Sequence, residues 1–287
     1  MGIKSKRSVL VTGCSPGGIG HALALEFQRR GFRVLGTVRN SVASKDLESH
    51  GIEALELEVT SADSIAACKA EVHKRLDGRL DCLINNAGRA YTMPALDVDF
   101  VEVRHTFETN ILGPMCITQA FAPLVIATQG RIVNVGSVAG VMPYIFGSAY
   151  NATKAALHAY TNTIRQELAP FGVKVILLVA GGVQTQIASH VFDVPENSIY
   201  RPIESDYTQK RKANIQNAVQ REDFAKRVVS QILDEHAKLW IWEGRHSWTV
   251  WLIDTFFPRW IWDLIFNQMF GIGRLSKETW TANRCMQ

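Results

Sequence analysis

Tyr150 and Lys154 are the residues whose types and spacing point most directly to chemistry. Four residues apart on one helix, they share a face, so the ammonium group can lie beside the phenol. A phenol ionises at about pH 10 in water, too high for efficient proton exchange at neutral pH, and a neighbouring cation lowers that pKa. Ser137 precedes this pair and could hold a substrate oxygen by a hydrogen bond. Together these side chains predict proton transfer to a carbonyl oxygen.

A glycine-rich turn follows the first predicted strand and opens the first predicted helix. Glycines let such a turn bend sharply and approach a pyrophosphate closely, while the helix N-terminus offers N–H groups and the positive end of its dipole. A flexible loop is the simpler alternative, but the strand before it and the helix after it favour a dinucleotide site. The predicted cofactor contacts are Gly13, Ser15, Gly17, Gly18, Ile19 and Gly20, with either Gly17 or Gly18 as the middle glycine.

The end of the second predicted strand indicates which dinucleotide is bound. A site for NAD would place an acidic residue there to bind the ribose 2′-hydroxyl. This sequence has Arg39 and no acid between Thr37 and Asn40. A guanidinium group binds a 2′-phosphate through charge-assisted hydrogen bonds worth about 1.5–3 kcal/mol each. A solvated arginine at a strand end would mean little by itself, but together with the missing acid it predicts NADP(H) as the cofactor.

Apolar, β-branched runs alternate with segments of helical period, which is typical of a parallel sheet covered by helices on both faces. We therefore predict an α/β fold, a Rossmann-type doubly wound parallel β-sheet of about seven strands in one domain over residues 1–243. Residues 184–222 have no clean period and carry two prolines, which predicts a loop over the substrate. The predicted strands are 8–13, 32–39, 54–59, 80–84, 131–135, 174–179 and 239–242, and the predicted helices include 19–30, 61–76 and 147–169.

Four motifs in a fixed order make the chain resemble the short-chain dehydrogenase/reductase family. They are the glycine turn, Asn85-Asn86-Ala87-Gly88 after the fourth strand, Ser137 after the fifth, and the Tyr150-xxx-Lys154 pair. A Tyr-xxx-Lys pair occurs often by chance, whereas four ordered motifs are specific. The resemblance implies a reductase in which Tyr150 donates the proton beside Ser137 and Lys154. It also implies that Asn110 is a fourth catalytic residue, which holds a water behind the lysine.

The same resemblance implies further contacts to the cofactor. Lys154 would bond the nicotinamide ribose and Thr185 the carboxamide, while the acid after the third strand would contact the adenine. The sequence departs from the family in two of these places, with Glu58-Val59 for Asp-Val and Ala180-Gly181 for Pro-Gly. The cofactor contacts implied by the resemblance are Glu58, Val59, Asn86, Ala87, Gly88, Tyr150, Lys154, Gly182, Val183 and Thr185.

The composition changes after Glu243, and all seven tryptophans lie between Trp240 and Trp280. The segment 248–270 is apolar, but charged residues and a proline interrupt it, and no run approaches the length that spans a bilayer. Such a segment suits the membrane interface, or else the mouth of the active site or a subunit contact. We treat 244–287 as an extension packed on the same domain or at one of these surfaces.

The glycine turn and the Asp254-Thr-Phe-Phe-Pro258 tail further resemble a fungal group of NADPH-dependent 1-acyldihydroxyacetone-phosphate reductases. That likeness implies a hydrophobic ketone and contact of residues 244–270 with endoplasmic reticulum or lipid droplets. It also includes relatives in fungal secondary metabolism that act on polyketide or alkaloid carbonyls and imines. We expect a cytoplasmic homo-oligomer, a dimer or tetramer, that reduces a hydrophobic ketone or aldehyde. Imine reduction, an NADPH-assisted cyclisation and a non-catalytic cofactor-binding scaffold are the alternatives.

The composition argues against other classes of protein. The net charge is +4 and the basic residues are scattered, which disfavours nucleic-acid binding. Five cysteines without ligand spacing indicate reduced thiols in a cytosolic protein, and the dispersed histidines predict no metal site. The first apolar run is too short for the core of a signal peptide.

Overall fold

The structure is a computed structural model that describes residues 6–185 and 193–275. Seven strands within these residues pair in parallel to form one sheet. They are β1 (Ser8–Val11), β2 (Arg33–Val38), β3 (Glu53–Glu56), β4 (Cys82–Asn85), β5 (Arg131–Ser137), β6 (Lys174–Ala180) and β7 (Trp240–Glu243). The spatial order is β3-β2-β1-β4-β5-β6-β7, so the order reverses between β1 and β4. The predicted α/β fold with a doubly wound parallel sheet is confirmed.

Helices connect the strands and cover both faces of the sheet. They are α1 (Ile19–Arg29), α2 (Ser41–Ser49), α3 (Ala62–Leu76), α4 (Phe100–Phe107), α5 (Gly113–Ile126), α6 (Ser148–Leu168), α7 (Glu204–Gln216), α8 (Arg221–Leu233), α9 (Ser247–Phe256) and α10 (Trp260–Phe270). A π-helical turn joins α4 to α5, so that the two form one bent rod.

Alternate residues of a strand face opposite sides of a sheet, and the strands therefore build two apolar layers. In β1, Val9 and Val11 belong to the layer formed with α1, α2 and α8. Leu10 belongs to the layer formed with α3, α5 and α6. All three side chains are fully buried, which explains why the strands are continuous apolar runs in the sequence.

Residues 204–216 form helix α7, although this segment was predicted to be part of a loop. Only Tyr207 of this helix is buried, so the helix has no apolar stripe that a search for helical period could detect. Residues 186–192 of the predicted loop lie outside the described residues.

The rod of α4 and α5 passes close to the catalytic part of the sheet. In the part of the chain that the structure describes, Phe100–Ile126 is the one helical stretch with the length and hydropathy of a membrane span. Half of its most apolar window is buried in the protein, and α5 packs on the sheet through fully or nearly fully buried Ile117, Phe121 and Val125. This stretch is therefore a core helix of the domain.

The C-terminal helices α9 and α10 fold back onto the carboxyl end of the sheet. Their inner faces contribute Val250, Trp262, Phe266 and Phe270 to a third apolar cluster. The same cluster contains Phe146 and Tyr207, so the extension packs against α7 and the segment between β5 and α6. One side of the predicted tail is thus buried in the protein beside the region that carries Tyr150.

Candidate active site

Ser137, Tyr150 and Lys154 converge where β5 ends against α6. Ser137 is the last residue of β5, and its hydroxyl forms a hydrogen bond with the side chain of Tyr150. The N–H of Ala139 donates to Ser137 Oγ over 3.1 Å, which fixes the serine side chain. Lys154 Nζ lies 5.8 Å from the centre of the Tyr150 ring and donates to the carbonyl oxygen of Val135 over 2.9 Å. The structure therefore brings the three predicted side chains together.

Burial shifts the pKa values of Tyr150 and Lys154. Burial raises the pKa of Tyr150, while the hydrogen bond from Ser137 and the positive charge of Arg211 lower it. Burial also lowers the pKa of Lys154 to about 8. The predicted lowering of the Tyr150 pKa by Lys154 is not found in this arrangement, because the ammonium group is directed to the Val135 carbonyl. A phenol with a raised pKa keeps its proton at neutral pH but is a weak acid, so donation of that proton requires stabilisation of the phenolate by a positive charge.

Asn110 lies in the π-helical turn between α4 and α5 and is fully buried. Its Oδ1 accepts from the N–H of Arg89 over 2.8 Å, and its Nδ2 donates to the Arg89 carbonyl over 2.9 Å. Nδ2 also donates to Thr153 Oγ1 over 3.1 Å. Asn110 therefore joins the segment after β4 to the helix that carries Tyr150 and Lys154. Its role in holding a water stays a prediction.

The segment after β4 approaches Lys154 at Gly88. A Cβ on this glycine would lie 3.2 Å from Asn110 Oδ1 and 3.8 Å from Lys154 Nζ. Gly88 is exposed, so its surface is available to a bound molecule.

The glycine turn is built by close contacts that only glycine permits. Gly13 has a φ of +71°, and a Cβ there would lie 2.8 Å from the Cα of Ala87. A Cβ on Gly20 would lie 2.3 Å from Asn86 Nδ2. Gly17 has a φ of +79°, so of the two candidates Gly17 is the middle glycine whose conformation disfavours a side chain. Gly18 is the N-cap of α1.

These residues fit the pyrophosphate of a dinucleotide. The N-cap of α1 is Gly18, so no side chain caps the first N–H groups of this helix, and its first turn contains no acidic residue. Its N–H groups and the positive end of its dipole therefore suit an anion. Ser15 is exposed and Ile19 is half-buried at the entrance to the helix, where a phosphate group would be held.

Asn86 supports the turn with its side chain. Its Nδ2 donates to the carbonyls of Thr12 over 2.8 Å and of Gly13 over 3.0 Å. The backbone N–H groups of Asn86 and Ala87 both donate to Thr12 Oγ1 over 3.0 Å. The Asn-Asn-Ala-Gly motif thus holds the end of β4 beside the end of β1, where the order of the strands reverses. Ligands of such sheets bind at this reversal.

Arg39 lies just beyond β2, and its side chain is 75% exposed. Its Nη1 is 3.9 Å from Glu58 Oε2, and an exposed pair at this distance contributes little to stability. The guanidinium group is therefore accessible to a phosphate. The side chain of the neighbouring Val59 is buried, so Val59 packs in the core near Gly113 and only its backbone can face a ligand.

The segment after β6 is held by the loop that follows β7. The N–H of Gly182 donates to the Arg245 carbonyl over 2.9 Å, and the Gly182 carbonyl accepts from the N–H groups of Arg245 and Val219. Val183 is buried, and Thr185 is half-buried at the end of the first described range. The predicted contact of Thr185 with a carboxamide stays a prediction.

Arg211 is a functional candidate that the sequence analysis missed, because residues 204–216 were predicted to be a loop. Its Nη1 donates to Thr92 Oγ1 over 2.8 Å and to the Tyr207 hydroxyl over 3.2 Å. Its charge acts on the pKa of Tyr150. The spacing of Tyr207 and Arg211, four residues apart, is the one signal of this helical face in the sequence.

Two further features lie away from the catalytic residues. His21, Asp46 and His50 bring their ligand-type atoms within 4.8 Å of one another, although the sequence analysis predicted no metal site. His21 Nε2 is 2.8 Å from Asp46 Oδ2, and His50 Nδ1 is 2.8 Å from the Asp46 carbonyl, so hydrogen bonds join the three residues. A cavity of about 400 Å³ lies between α6 and α10, and none of the four predicted catalytic residues lines it.

Comparison with known proteins supports the same assignment. The chain matches the family model for short chain dehydrogenases over residues 7–195. It is 41% identical over 275 residues to the short-chain dehydrogenase fogD of Aspergillus ruber, which covers 95% of this chain and 96% of that protein. It is 42% identical over 237 residues to the NADPH-dependent 1-acyldihydroxyacetone phosphate reductase of Schizosaccharomyces pombe, over 80% of each chain.

Solved structures have the same architecture. A short-chain dehydrogenase from Streptomyces avermitilis superposes with a TM-score of 0.77 at 27% identity, over 96% of this chain and 98% of that one. The closed form of a serine dehydrogenase complexed with NADP⁺ superposes with a TM-score of 0.69 at 27% identity, over 82% of this chain and 93% of that one. The chain therefore belongs to the short-chain dehydrogenase family, and it is an oxidoreductase, as its four motifs predicted.

The buried Lys154 has a consequence for stability that depends on pH. Its pKa in the folded protein is about 8, below the ordinary value of 10.5, so folding is opposed at neutral pH by about 3 kcal/mol. Lys154→Met removes this cost and one hydrogen bond worth about 1 kcal/mol. The variant should be more stable than the wild type by about 2 kcal/mol at neutral pH, and the difference should shrink as the pH rises from 8 towards 10.5.

Urea unfolding at several pH values measures this difference. Lys174→Met is the matched control, because Lys174 is exposed and its replacement should not change the pH dependence. A stability difference for Lys154→Met that is independent of pH would contradict the prediction.

Proposed function

We propose that the protein is an NADPH-dependent reductase that transfers hydride to the carbonyl carbon of a hydrophobic ketone or aldehyde. The observation that carries this proposal is the convergence of Ser137, Tyr150 and Lys154 at the carboxyl end of β5, beside the glycine turn that fits a dinucleotide. No member of the catalytic group is missing, which argues against a scaffold that only binds the cofactor.

Each residue of the group has a distinct part in the reaction. When bound, NADPH supplies the hydride. Tyr150, kept protonated by burial, donates its proton to the carbonyl oxygen, which becomes a hydroxyl group. Ser137 holds the same oxygen by a hydrogen bond and orients it. The ammonium group of Lys154 lies 5.8 Å from the centre of the phenol ring and would stabilise the phenolate once it turns from the Val135 carbonyl towards the phenolic oxygen.

Arg39 supports NADPH over NADH. Its exposed guanidinium lies at the end of β2, where a site for NAD would have an acid. A relative at 42% identity is named as an NADPH-dependent reductase, and a structural neighbour is complexed with NADP⁺.

A hydrophobic substrate is supported by the side chains that surround the catalytic helix. Phe146, Tyr144 and Tyr207 pack edge-on or tilted against one another, and Phe266 and Phe270 of α10 contact Tyr144. This aromatic cluster borders the segment that leads from β5 into α6. Most of its side chains are buried, so the protein beside Ser137 and Tyr150 is apolar, and apolar sites leave the orientation of a ligand to a few polar groups.

Tyr150→Phe tests the catalytic role. Because general acid catalysis contributes about 10²–10⁴-fold, the variant should lose that much of kcat for NADPH-dependent reduction across a panel of apolar ketones and aldehydes. NADPH affinity, measured by fluorescence, should be retained. Tyr160→Phe is the matched control, since Tyr160 is half-buried on the same helix, and it should react at the wild-type rate. Wild-type turnover by Tyr150→Phe would refute the proposal.

Arg39→Ala tests the choice of cofactor. Loss of a charge-assisted hydrogen bond should weaken NADPH binding by about one to two orders of magnitude and leave NADH binding within about twofold. Titration of each cofactor against wild type and variant measures the difference. Arg29→Ala is the control, because Arg29 is similarly exposed at the far end of α1. Equal losses for the two cofactors in Arg39→Ala would contradict the phosphate role.

We propose further that the outer side of α9 and α10 lies on a lipid surface. This side, here called the aromatic face, has six large apolar side chains that are each at least 47% exposed. Lys238 Nζ lies 5.8 Å from the centre of the Trp248 ring, and the Arg259 side chain is 84% exposed. The residues of the aromatic face are Trp248, Leu252, Phe256, Phe257, Trp260 and Leu264.

The composition of the aromatic face favours lipid. Tryptophan is enriched at the level of lipid headgroups, and basic residues at the rim attract anionic lipids. The opposite sides of α9 and α10 are anchored in the protein by Trp262, Phe266 and Phe270, so the exposed side chains are presented without unfolding. A lipid surface next to the catalytic helix would supply a hydrophobic ketone directly. The expected homo-oligomer and the expected cytoplasmic location stay predictions.

Flotation with vesicles of phosphatidylcholine and phosphatidylserine tests this contact. The wild type should float at low salt, and Phe256→Ser with Trp260→Ser should reduce the bound fraction about tenfold or more, since each buried apolar side chain contributes about 1.5–3 kcal/mol. Phe171→Ser is the control, because Phe171 is similarly exposed just before β6, at the amino end of the strands, whereas α9 and α10 pack at the carboxyl end. Absence of flotation by the wild type would refute the lipid contact and favour a contact between subunits.

A further inference from the structure

His158 is a buried polar residue that the proposed reaction does not use. It follows Lys154 by one turn of α6 and lies on the same helical face as Tyr150 and Lys154. Its side chain belongs to a residue that is only 4% exposed. The ring packs edge-on against Trp240, with 5.4 Å between the ring centres.

Two glycines on either side of Ser137 make room for this ring. A Cβ on Gly136 would lie 2.4 Å from His158 Nε2, and a Cβ on Gly140 would lie 2.5 Å from its Cε1. Real Cβ atoms do not approach other atoms this closely, so neither position could carry a side chain with the imidazole in place. The histidine is therefore enclosed by the chain that carries the catalytic serine.

The imidazole contacts Ser137 directly. The N–H of Ser137 donates to His158 Nε2 over 3.3 Å. Burial and the charge of Lys154 lower the pKa of His158 to about 4, so the ring is neutral at physiological pH and Nε2 keeps its lone pair. The proton of the neutral ring is then on Nδ1, which has no hydrogen-bond partner among the described residues.

The Nδ1–H, unpartnered within the described part of the chain, costs stability, and an apolar side chain in this space would avoid that cost. The imidazole contributes what an apolar side chain lacks, an acceptor for the Ser137 N–H. The Ser137 hydroxyl is in turn bonded to Tyr150. A shift of the backbone at Ser137 would therefore change the hydrogen bond between the serine hydroxyl and the phenolic oxygen of Tyr150.

We propose that His158 is a positioning residue, which holds the backbone of Ser137 so that the serine hydroxyl faces Tyr150 and the substrate oxygen. This inference rests on the proposed reduction and extends it to a residue that touches neither substrate nor cofactor. It acts through the N–H of Ser137 and the space left by Gly136 and Gly140.

Replacement of His158 by Leu and by Gln tests the proposal. Leucine fills the space but accepts no hydrogen bond, so kcat for reduction should fall about tenfold or more, while KM and NADPH affinity stay within about twofold. Glutamine can place its amide oxygen near the position of Nε2 and should restore kcat to within about threefold of the wild type. Thr161→Val is the matched control, since Thr161 is buried on the same helix and bonds Asn134; it should reduce stability and leave kcat unchanged.

A second measurement separates this inference from the proposed function. The pKa of Tyr150, followed by ultraviolet absorbance with Tyr150→Phe as the blank, should rise in His158→Leu and not in His158→Gln. This readout requires no turnover, so it stands even if no carbonyl substrate is reduced. A folded His158→Leu protein with the wild-type kcat, or with an unchanged pKa of Tyr150, would overturn the proposal.

Gly140→Ala covers the case in which His158→Leu does not fold. The new Cβ must displace the imidazole, so the same fall in kcat and the same rise in the pKa of Tyr150 are expected. A folded Gly140→Ala protein that shows neither change would likewise refute the positioning role.

Discussion

The contact between β5 and one face of α6 sets the geometry of the catalytic group. Tyr150, Lys154 and His158 follow one another at intervals of one helical turn, and each bonds to either Val135 or Ser137 at the end of β5. The strand is held on its other edge by seven paired positions with β6, so it cannot shift along the helix without breaking the sheet. A reactive phenol, a buried cation and a hydroxyl group are thus placed by main-chain register before any ligand is present.

Close approach of the backbone is the second constraint, and it explains the glycines. Around the turn after β1, side chains on Gly13 or Gly20 would collide with the segment after β4. Asn86 and Thr12 fill the remaining hydrogen bonds between the two segments. The lack of side chains at Gly13 and Gly20 therefore leaves the start of α1 open to an anion. It also lets the two halves of the sheet approach closely where the strand order reverses.

The sequence predicted most of what depends on local pattern. Strand and helix periods predicted the sheet, and the four motifs predicted the residues that meet at its carboxyl edge. Helix α7 could not be predicted, because Tyr207 alone of its residues is buried and the polar remainder has no periodic signal. The direction of Lys154 towards the Val135 carbonyl and the supporting role of Asn86 could not be predicted either, since both depend on contacts between segments far apart in the chain. His158 is one histidine among eight in the sequence, and only the folded chain shows that Gly136 and Gly140 enclose it.

The π-helical turn at Glu108–Leu112 lets one continuous helical stretch meet two different sets of partners. An α-helix turns by about 100° per residue, so an uninterrupted helix could not direct Asn110 to Arg89 and Thr153 while also keeping the apolar side of α5 on the sheet. The wider turn absorbs the mismatch in register. A deletion of one residue within this turn would restore a regular helix but rotate α4 against α5, and Asn110 would leave its partners. The length of this stretch is therefore as tightly constrained as the identity of the residues in it.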